Sequence, residues 1–378
     1  MTILRVIVDQ MVASVPGGIG RYTEELTRQL ILTAPRDCSV EGIVSSTTQD
    51  RYDSVNDRLP GLAGLQSLAL PRRELSAAWQ LGLPLLTGGG MVHAPSLMAP
   101  LRRHDRVTDN NQIAVTIHDV VPWTHPETLT PHGVTWHKAM AKRARKYADA
   151  IVVPTHAVAD ELSQLIDFGE RIRVIGGAVS ESLHLPADPD ARAAELGLPP
   201  EFILTVGTLE PRKGLTALIT ALGIAQSPDL PLLVVGPQGW GDLDVAAVAA
   251  EAGLPEDRVR TLGFVADEDL ALLLSRATVF VFPSRAEGFG LPLLEAMSLG
   301  APVVHSSAPA LVEVAGGAGL VVELADEVRY PERLAAAIAL VVNDHELATT
   351  LRLRGRDRAR AYSWRDSAER VWQLHADL

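Results

Sequence analysis

Short apolar runs recur along this chain, separated by longer segments with helical spacing of their apolar residues. A first set falls at residues 4–8, 40–44, 114–117, 150–153 and 172–175. The runs are too short for helices and apolar at successive positions, the pattern of strands covered on both faces. A second set follows at 202–206, 232–235, 259–262, 279–282, 302–305 and 320–322. The restart predicts an α/β protein of two doubly wound, parallel-sheet, Rossmann-like domains. Between the sets, residues 180–200 hold the stretch Pro186-Ala-Asp-Pro189 and read as a linker. The predicted division is 1–180, 181–360 and a terminal helix in 361–378, with the two domains facing across a cleft at the carboxyl ends of their strands. In the terminal segment Ala368, Val371, Trp372 and Leu374 share one helical face that needs a surface to cover.

Length agrees, because single cores rarely grow beyond about 250–300 residues and this chain has 378. Hydrophobic residues make up 47% and aromatics only 4%, so burial has to come from Ala, Val, Leu and Ile. The single cysteine, Cys38, excludes an internal disulfide and fits a reducing compartment. No run of some 18 apolar residues occurs, and residues 1–10 look like a strand rather than a leader. The expectation is a cytoplasmic protein. A net charge of −12 argues against nucleic acid as a partner. One local exception is a basic helical face, Lys138, Lys142 and Lys146 with Arg143 and Arg145. It is either solvated, or a docking face for an anionic acceptor, or a peripheral contact, through Lys138, Lys142, Arg145 and Lys146, with anionic headgroups at the inner membrane face.

The most informative stretch is Phe282-Pro-Ser-Arg-Ala-Glu287-Gly-Phe289-Gly290-Leu291-Pro-Leu-Leu-Glu295. A strand delivers the chain to a glycine-containing turn that runs into a helix, whose first amides attract anions and hydroxyls. Glu287 is expected on the exposed turn and Glu295 one helical turn inside, both able to accept from sugar hydroxyls. The segment Phe202-Ile-Leu-Thr-Val-Gly207-Thr208-Leu-Glu-Pro-Arg212-Lys213-Gly214 places two cations near a helix start, suited to a diphosphate. A solvated basic loop is the alternative. Pro16-Gly17-Gly18-Ile-Gly20-Arg21 reads as a glycine-rich strand-to-helix turn before a helix at 23–32, either a plain turn or an approach for phosphate or sugar. His118-Asp119 ends a strand aimed into the cleft, where His118 can bond a substrate hydroxyl or the pair can cap local backbone. Three Asp-x-Asp triplets, 188/190, 242/244 and 267/269, precede helical segments and read as caps rather than metal ligands. The eleven histidines show no ligand spacing, so no metal and no cofactor is expected.

These motifs resemble those of the family-four retaining glycosyltransferases of the GT-B fold, whose paired glutamates are separated by seven residues, as Glu287 and Glu295 are. The resemblance is strongest over 202–322 and weaker at Gly17-Gly18-Ile-Gly20-Arg21, His118-Asp119 and Tyr362-Ser-Trp364, where the terminal helix would cross back to the first domain. It implies a nucleotide-diphosphate sugar donor whose diphosphate lies on Arg212 and Lys213, in a loop with Gly207 and Thr208. Glu295 would take the ribose hydroxyls, and Glu287 with the Phe289, Gly290 and Leu291 amides the donor sugar. His118, beside Asp119 and the Gly17, Gly18, Gly20 loop, would contact that sugar, and the base would sit near Phe264 and Val265. Many relatives have Arg directly after the phosphate-loop glycine, where this chain has Thr208. The Glu-Pro-Arg-Lys form is similar to a sub-group rich in mannosyltransferases of surface polysaccharides, which favours mannose from GDP-mannose. The acceptor is open among a glycan, a glycolipid and a small molecule. A nucleotide-sugar epimerase or hydrolase on the same fold, or a two-domain sugar-binding protein, are the rival readings.

Overall fold

The computed structural model describes residues 2–13, 17–85, 89–239 and 243–378. It divides into two compact units, Met1–Gly177 with Ser363–Leu378, and Ala178–Tyr362.

The first unit carries a seven-stranded parallel sheet in the order β3-β2-β1-β4-β5-β6-β7. Its strands are β1 (Thr2–Ile7), β2 (Cys38–Ser46), β3 (Gly64–Pro71), β4 (Met91–Ala94), β5 (Gln112–Thr116), β6 (Ala150–Val153) and β7 (Ile172–Val174). Two of these escape the apolar-run criterion. β3 is an edge strand, largely exposed along one side, and its Gly, Gln and Ser dilute the run. β4 is only four residues long and contains His93, a fully buried polar ring. The terminal helix Trp364–Asp377 packs in this unit with Ala368, Val371, Trp372 and Leu374 buried. The Trp372 indole donates to the Leu30 carbonyl at 3.2 Å and Ser367 Oγ to that of Gly176 at 2.9 Å.

The second unit holds a six-stranded parallel sheet in the order β10-β9-β8-β11-β12-β13. Here β8 (Ile203–Val206), β9 (Leu232–Val235), β10 (Val259–Gly263), β11 (Val279–Phe282), β12 (Val303–Ser306) and β13 (Leu320–Val322) coincide with the six apolar runs. Phe202, Phe280 and Phe282 are buried among Leu, Ala and Val from the flanking helices. The stretch read as linker is structured instead: Asp188 caps the helix Pro189–Glu195, and Arg192 on it pairs with Asp269 at 2.7 Å. Asp269 therefore works as an ion-pair partner, and Asp267 accepts from Ser182 Oγ at 2.5 Å, so this third triplet does not cap a helix. Asp244 does cap, accepting from the Ala247 amide, while Asp242 lies outside the described residues.

No single described helix is long and apolar enough to cross a membrane. On the helix Pro131–Tyr147, Lys142, Arg145 and Lys146 are exposed and Lys138 half-buried. Arg143 is not part of that outer face, because its guanidinium turns inward to the Leu101 carbonyl.

Candidate active site

In the second unit β8 and β11 are adjacent at the centre of the sheet, so the loops leaving their carboxyl ends run side by side. The Arg285 amide donates to the Arg212 carbonyl at 2.9 Å and joins the two loops. Gly214, at φ 70°, lets them meet: a Cβ there would stand 2.3 Å from the Pro283 carbonyl oxygen. Residues Pro211–Lys213 form a single 3-10 turn ahead of the helix Leu215–Leu222, so Arg212 and Lys213 precede that helix rather than open it.

Both cations converge on one carboxylate. Lys213 Nζ lies 2.6 Å from Glu287 Oε1, and Arg212 Nη1 lies 3.3 Å from Glu287 Oε2 while donating to the Ala286 carbonyl at 2.6 Å. Ser284 Oγ donates to Glu287 Oε1 at 2.6 Å. The Lys213 ammonium also sits 5.6 Å from the centre of the Phe282 ring. Glu287, expected on an exposed turn, is only 10% exposed at its side chain. The reason is the cations: a carboxylate with two charge partners and a hydroxyl is satisfied away from water. Burial by itself pushes the Glu287 carboxyl up, but the charges of Lys213 and Arg212 and the hydrogen bonds from Lys213 and Ser284 outweigh it and bring it down to about 2. Glu210 stands 3.6 Å from Arg212 on its other side.

Glu295 is 2% exposed on the helix Leu291–Leu299, which starts from Gly290 at φ 89°. Phe289 is buried edge-on against Tyr362, with ring centres 5.5 Å apart, which fixes the turn between the two glutamates. Gly207 and Thr208 line a small depression with Lys213 and Phe282. At the end of β10, Phe264 projects 82% exposed while Val265 packs on the core. Glu287, Arg212, Lys213, Gly207 and Thr208 are thus brought together, with Phe289, Gly290 and Leu291 on the same loop as Glu287.

In the first unit the glycines differ from expectation. The helix runs Gly17–Leu32, so Gly18 and Gly20 lie in its first turn and no separate loop follows Gly17; Pro16 lies outside the described residues. A Cβ at Gly17 or Gly18 would meet nothing within 4 Å, so this turn is open. His118 follows β5. Its Nε2 is 2.7 Å from the Pro95 carbonyl and so carries the proton, and its ring meets Tyr22 edge-on at 4.8 Å. Burial holds its pKa below the ordinary histidine range, so the ring is neutral at pH 7. Asp119 accepts from the Val121 amide at 3.1 Å, a local cap. Among the described residues no group of three His, Cys, Asp or Glu side chains is placed to hold a metal ion.

Ser284 and Tyr22 are contributors that motif reading passes over. Ser284 stands three residues before Glu287 on the same turn, a spacing that could have flagged it. Tyr22 becomes relevant only through a long-range ring contact, which no local signal reveals.

A model of the family described as Glycosyltransferase Family 4 matches residues 16–183, and one described as Glycosyl transferases group 1 matches 189–358. The O-antigen chain mannosyltransferase B of Escherichia coli is 30% identical over 92% of this chain and 92% of its own length. The chain belongs to the family-four glycosyltransferases. Within the family it falls in the mannosyltransferase-like group. The glycosyltransferase is also 27% identical to an MMP alpha-(1->4)-mannosyltransferase of Mycolicibacterium hassiacum, over 78% of this chain and 76% of that one. Its 32% identity to the serotype-specific mannosyltransferase WbdA of Escherichia coli covers 53% of this chain but only 26% of that protein. Among solved structures, Anabaena HepE in complex with UDP and glucose superposes with a TM-score of 0.76 at 19% identity, covering 100% of both chains. Sucrose-phosphate synthase from Thermosynechococcus elongatus gives 0.74 at 24%, covering 100% of this chain and 99% of that one. The glycosyltransferase thus has the GT-B fold, and family membership sets aside the epimerase, hydrolase and binding-protein alternatives.

Proposed function

We propose that this glycosyltransferase moves a mannosyl group from GDP-mannose to a glycan, glycolipid or small-molecule acceptor, with retention of configuration and without a metal ion. The observation that carries the reading is the Glu287 carboxylate held between Lys213 and Arg212. Cleaving a sugar-diphosphate bond builds positive charge on the sugar ring and negative charge on the leaving phosphate. Arg212 and Lys213 are assigned the diphosphate, supported by Gly207 and Thr208, and their two charges take the part a metal would play. Glu287 is assigned the donor sugar, with the Phe289, Gly290 and Leu291 amides. Glu295 is assigned the ribose hydroxyls, and Phe264 with Val265 the base. The open turn at Gly17, Gly18 and Gly20 is also assigned to the donor. His118 is proposed to accept from a sugar hydroxyl at Nδ1, since its Nε2 proton is committed to Pro95; Asp119 is assigned to hold the chain beside it. The leaving phosphate is the proposed base for the acceptor hydroxyl, because no described side chain stands out for that task. Mannose is favoured by the relatives that bear mannosyltransferase names. The exposed Lys142, Arg145 and Lys146, with Lys138, support a peripheral contact with anionic lipid on the cytoplasmic face.

The test is thermal stabilisation by GDP, UDP, dTDP and ADP, each with and without a chelator, followed by the anomeric configuration of the product. A ligand at a hundred times its Kd stabilises by about 2.7 kcal/mol, so one nucleotide should stand out. Chelator-insensitive stabilisation by GDP and an α-linked product are expected. A chelator that abolishes the shift would refute the metal-free reading, and an inverted product would refute retention.

A further inference from the structure

One charged side chain beside the paired loops of the second unit has no part in the function proposed above, that of Glu210. It immediately precedes the 3-10 turn Pro211–Lys213 and sits at the cap position with an extended backbone, at φ −126° and ψ 147°. The backbone is fixed there: the Glu210 amide donates to the Thr208 carbonyl at 2.8 Å, and the Glu210 carbonyl accepts from the Lys213 amide at 3.0 Å. The carboxylate does not cap the turn it precedes. Its stem instead lies against the loop that leaves β9, where Gln238 bridges to Leu209 and a Cβ at Gly239 would stand 2.8 Å from Glu210 Cγ. The bare backbone of Gly239 makes room for that stem, and the carboxylate is left to face Arg212, with Oε2 3.6 Å from Nη2.

Arg212 does not need Glu210 in order to be held. Its Nη1 donates to the Ala286 carbonyl at 2.6 Å and lies 3.3 Å from Glu287 Oε2. At 3.6 Å the Glu210 contact is beyond hydrogen-bond reach, so Glu210 contributes negative charge rather than a fixed geometry. The cluster then holds two cations, Arg212 and Lys213, and two carboxylates, Glu210 and Glu287, whose charges cancel. The two carboxylates differ in what carries them. Glu287 belongs to the loop after β11, and the function proposed above turns it to the donor sugar. Glu210 belongs to the loop of the cations themselves and stays beside Arg212 when Glu287 turns away. An ion pair that merely stabilises the loop is the plain alternative, but loop stability does not call for a carboxylate placed where it makes no hydrogen bond to its partner. The side chains of Arg212 and Glu210 are 14% and 24% exposed, so solvent screens the Glu210 charge only in part from an anion seated on Arg212.

We propose that Glu210 limits how tightly Arg212 and Lys213 hold a diphosphate and thereby speeds the departure of the nucleoside diphosphate product. The inference rests on the assignment of the donor diphosphate to those two cations. Transfer of the sugar frees an oxygen on the terminal phosphate, and the product is then more negative than the donor near neutral pH. A carboxylate that stays at the site therefore opposes the product more than the donor. Glu210 acts through Arg212, as a positioning residue for the charge balance of the site.

The test is isothermal titration of the full chain and of its Glu210→Gln and Glu210→Asp variants. The ligands are the nucleoside diphosphate, among GDP, UDP, dTDP and ADP, that stabilises the wild-type chain, its sugar nucleotide, its bare nucleoside and inorganic pyrophosphate. Glu210→Gln is expected to bind the nucleoside diphosphate about fivefold more tightly, the sugar nucleotide by a smaller factor and the nucleoside unchanged. Glu210→Asp keeps the charge and should stay within about twofold of wild type. Unchanged nucleoside binding shows that each variant is folded with its site intact. In steady-state assays, inhibition of Glu210→Gln by the nucleoside diphosphate should strengthen by the same factor, KM for the donor should fall, and kcat should not rise. Equal or weaker binding of the nucleoside diphosphate by Glu210→Gln overturns the proposal. So does an equal change in the affinity for the nucleoside, which is the mark of a structural role, or a Glu210→Asp variant that behaves as Glu210→Gln does. A gain of the same size for donor and product overturns the selective release of product. A wild-type chain that binds neither pyrophosphate nor any of the four nucleotides removes the diphosphate from Arg212 and Lys213, and Glu210's part with it; failure of the Glu210 inference alone leaves wild-type binding in place.

Discussion

Replacing Glu287 by Gln keeps the shape of the side chain and removes the charge that Lys213 and Arg212 share, so it mimics the protonated carboxyl. The wild-type group titrates at about 2 in the folded chain, against an ordinary value of 4.5. Because the folded value is the lower one, the unfolded chain binds more protons between the two, and the ionised cluster stabilises the fold fully above pH 4.5. That contribution is lost as pH falls toward 2. A fall from 4.5 to about 2, at 1.36 kcal/mol for each pH unit, gives about 3 kcal/mol at pH 7 and, by the same linkage, about half of that at pH 3. The side chain is only 10% exposed, so solvent screening removes little of this. Glu287→Gln should therefore be less stable at pH 7, by roughly 6–12 °C in the transition of the second unit, at 2–4 °C per kcal/mol for a unit of this size. At pH 3 the difference should shrink by about half. Scanning calorimetry of both proteins at the two pH values reads it directly. Equal differences at pH 7 and pH 3 would show that Glu287 does not titrate at a depressed value, and no difference at pH 7 would show that the cluster contributes nothing to the fold.

Two further outcomes follow from the same loops. Lys213→Ala should lower turnover on the order of tenfold to a hundredfold, since a charged hydrogen bond contributes about 1.5–3 kcal/mol, and steady-state kinetics with the identified donor checks it; near-wild-type turnover removes Lys213 from the mechanism. Gly290→Ala should cost about 2–4 kcal/mol, because Gly290 sits at φ 89° and a Cβ there would come 2.5 Å from Leu311 Cδ2; an unchanged melting temperature would mean that this turn relaxes freely.

The parts of the fold with a local cause were legible in the sequence. The six apolar runs of the second half are the six strands of its sheet, since each central strand is buried on both faces and has to be apolar throughout. The buried face of Trp364–Asp377 was equally plain, because a helical stripe repeats within the segment. β3 and β4 were not legible: one lies at an edge and needs no continuous run, and the other buries His93 in place of an aliphatic residue. The helix at Pro189–Glu195 hid behind two prolines that read as linker, although proline in a first helical turn is compatible with a helix start. At the site, the residues Arg212, Lys213 and Glu287 stood out by type and setting, but their mutual pairing did not. Lys213 and Glu287 are 74 positions apart, and only the adjacency of β8 and β11 turns two motifs into one cluster. For the same reason Glu287 was expected in solvent: a carboxylate on a glycine turn is normally solvated, and the cations that bury it come from the other loop.

That pairing bears on the chemistry as well as on the fold. On the proposed reading, a donor diphosphate arrives where Lys213 and Arg212 are already paired with Glu287, and Arg212 also with Glu210. Its negative charge both draws on Lys213 and Arg212 and repels Glu287, so the hydrogen bonds and charges that hold Glu287 weaken as the donor seats. A carboxylate released in this way is an acceptor without its former partners in a poorly hydrated place, and the sugar hydroxyls of the donor are the donors at hand. Glu287 is then held by the lysine and arginine while the site is empty and turned to the sugar when it is filled. The two cations serve both states, and the Ser284 hydroxyl adds one neutral hydrogen bond to keep that carboxylate buried between turnovers.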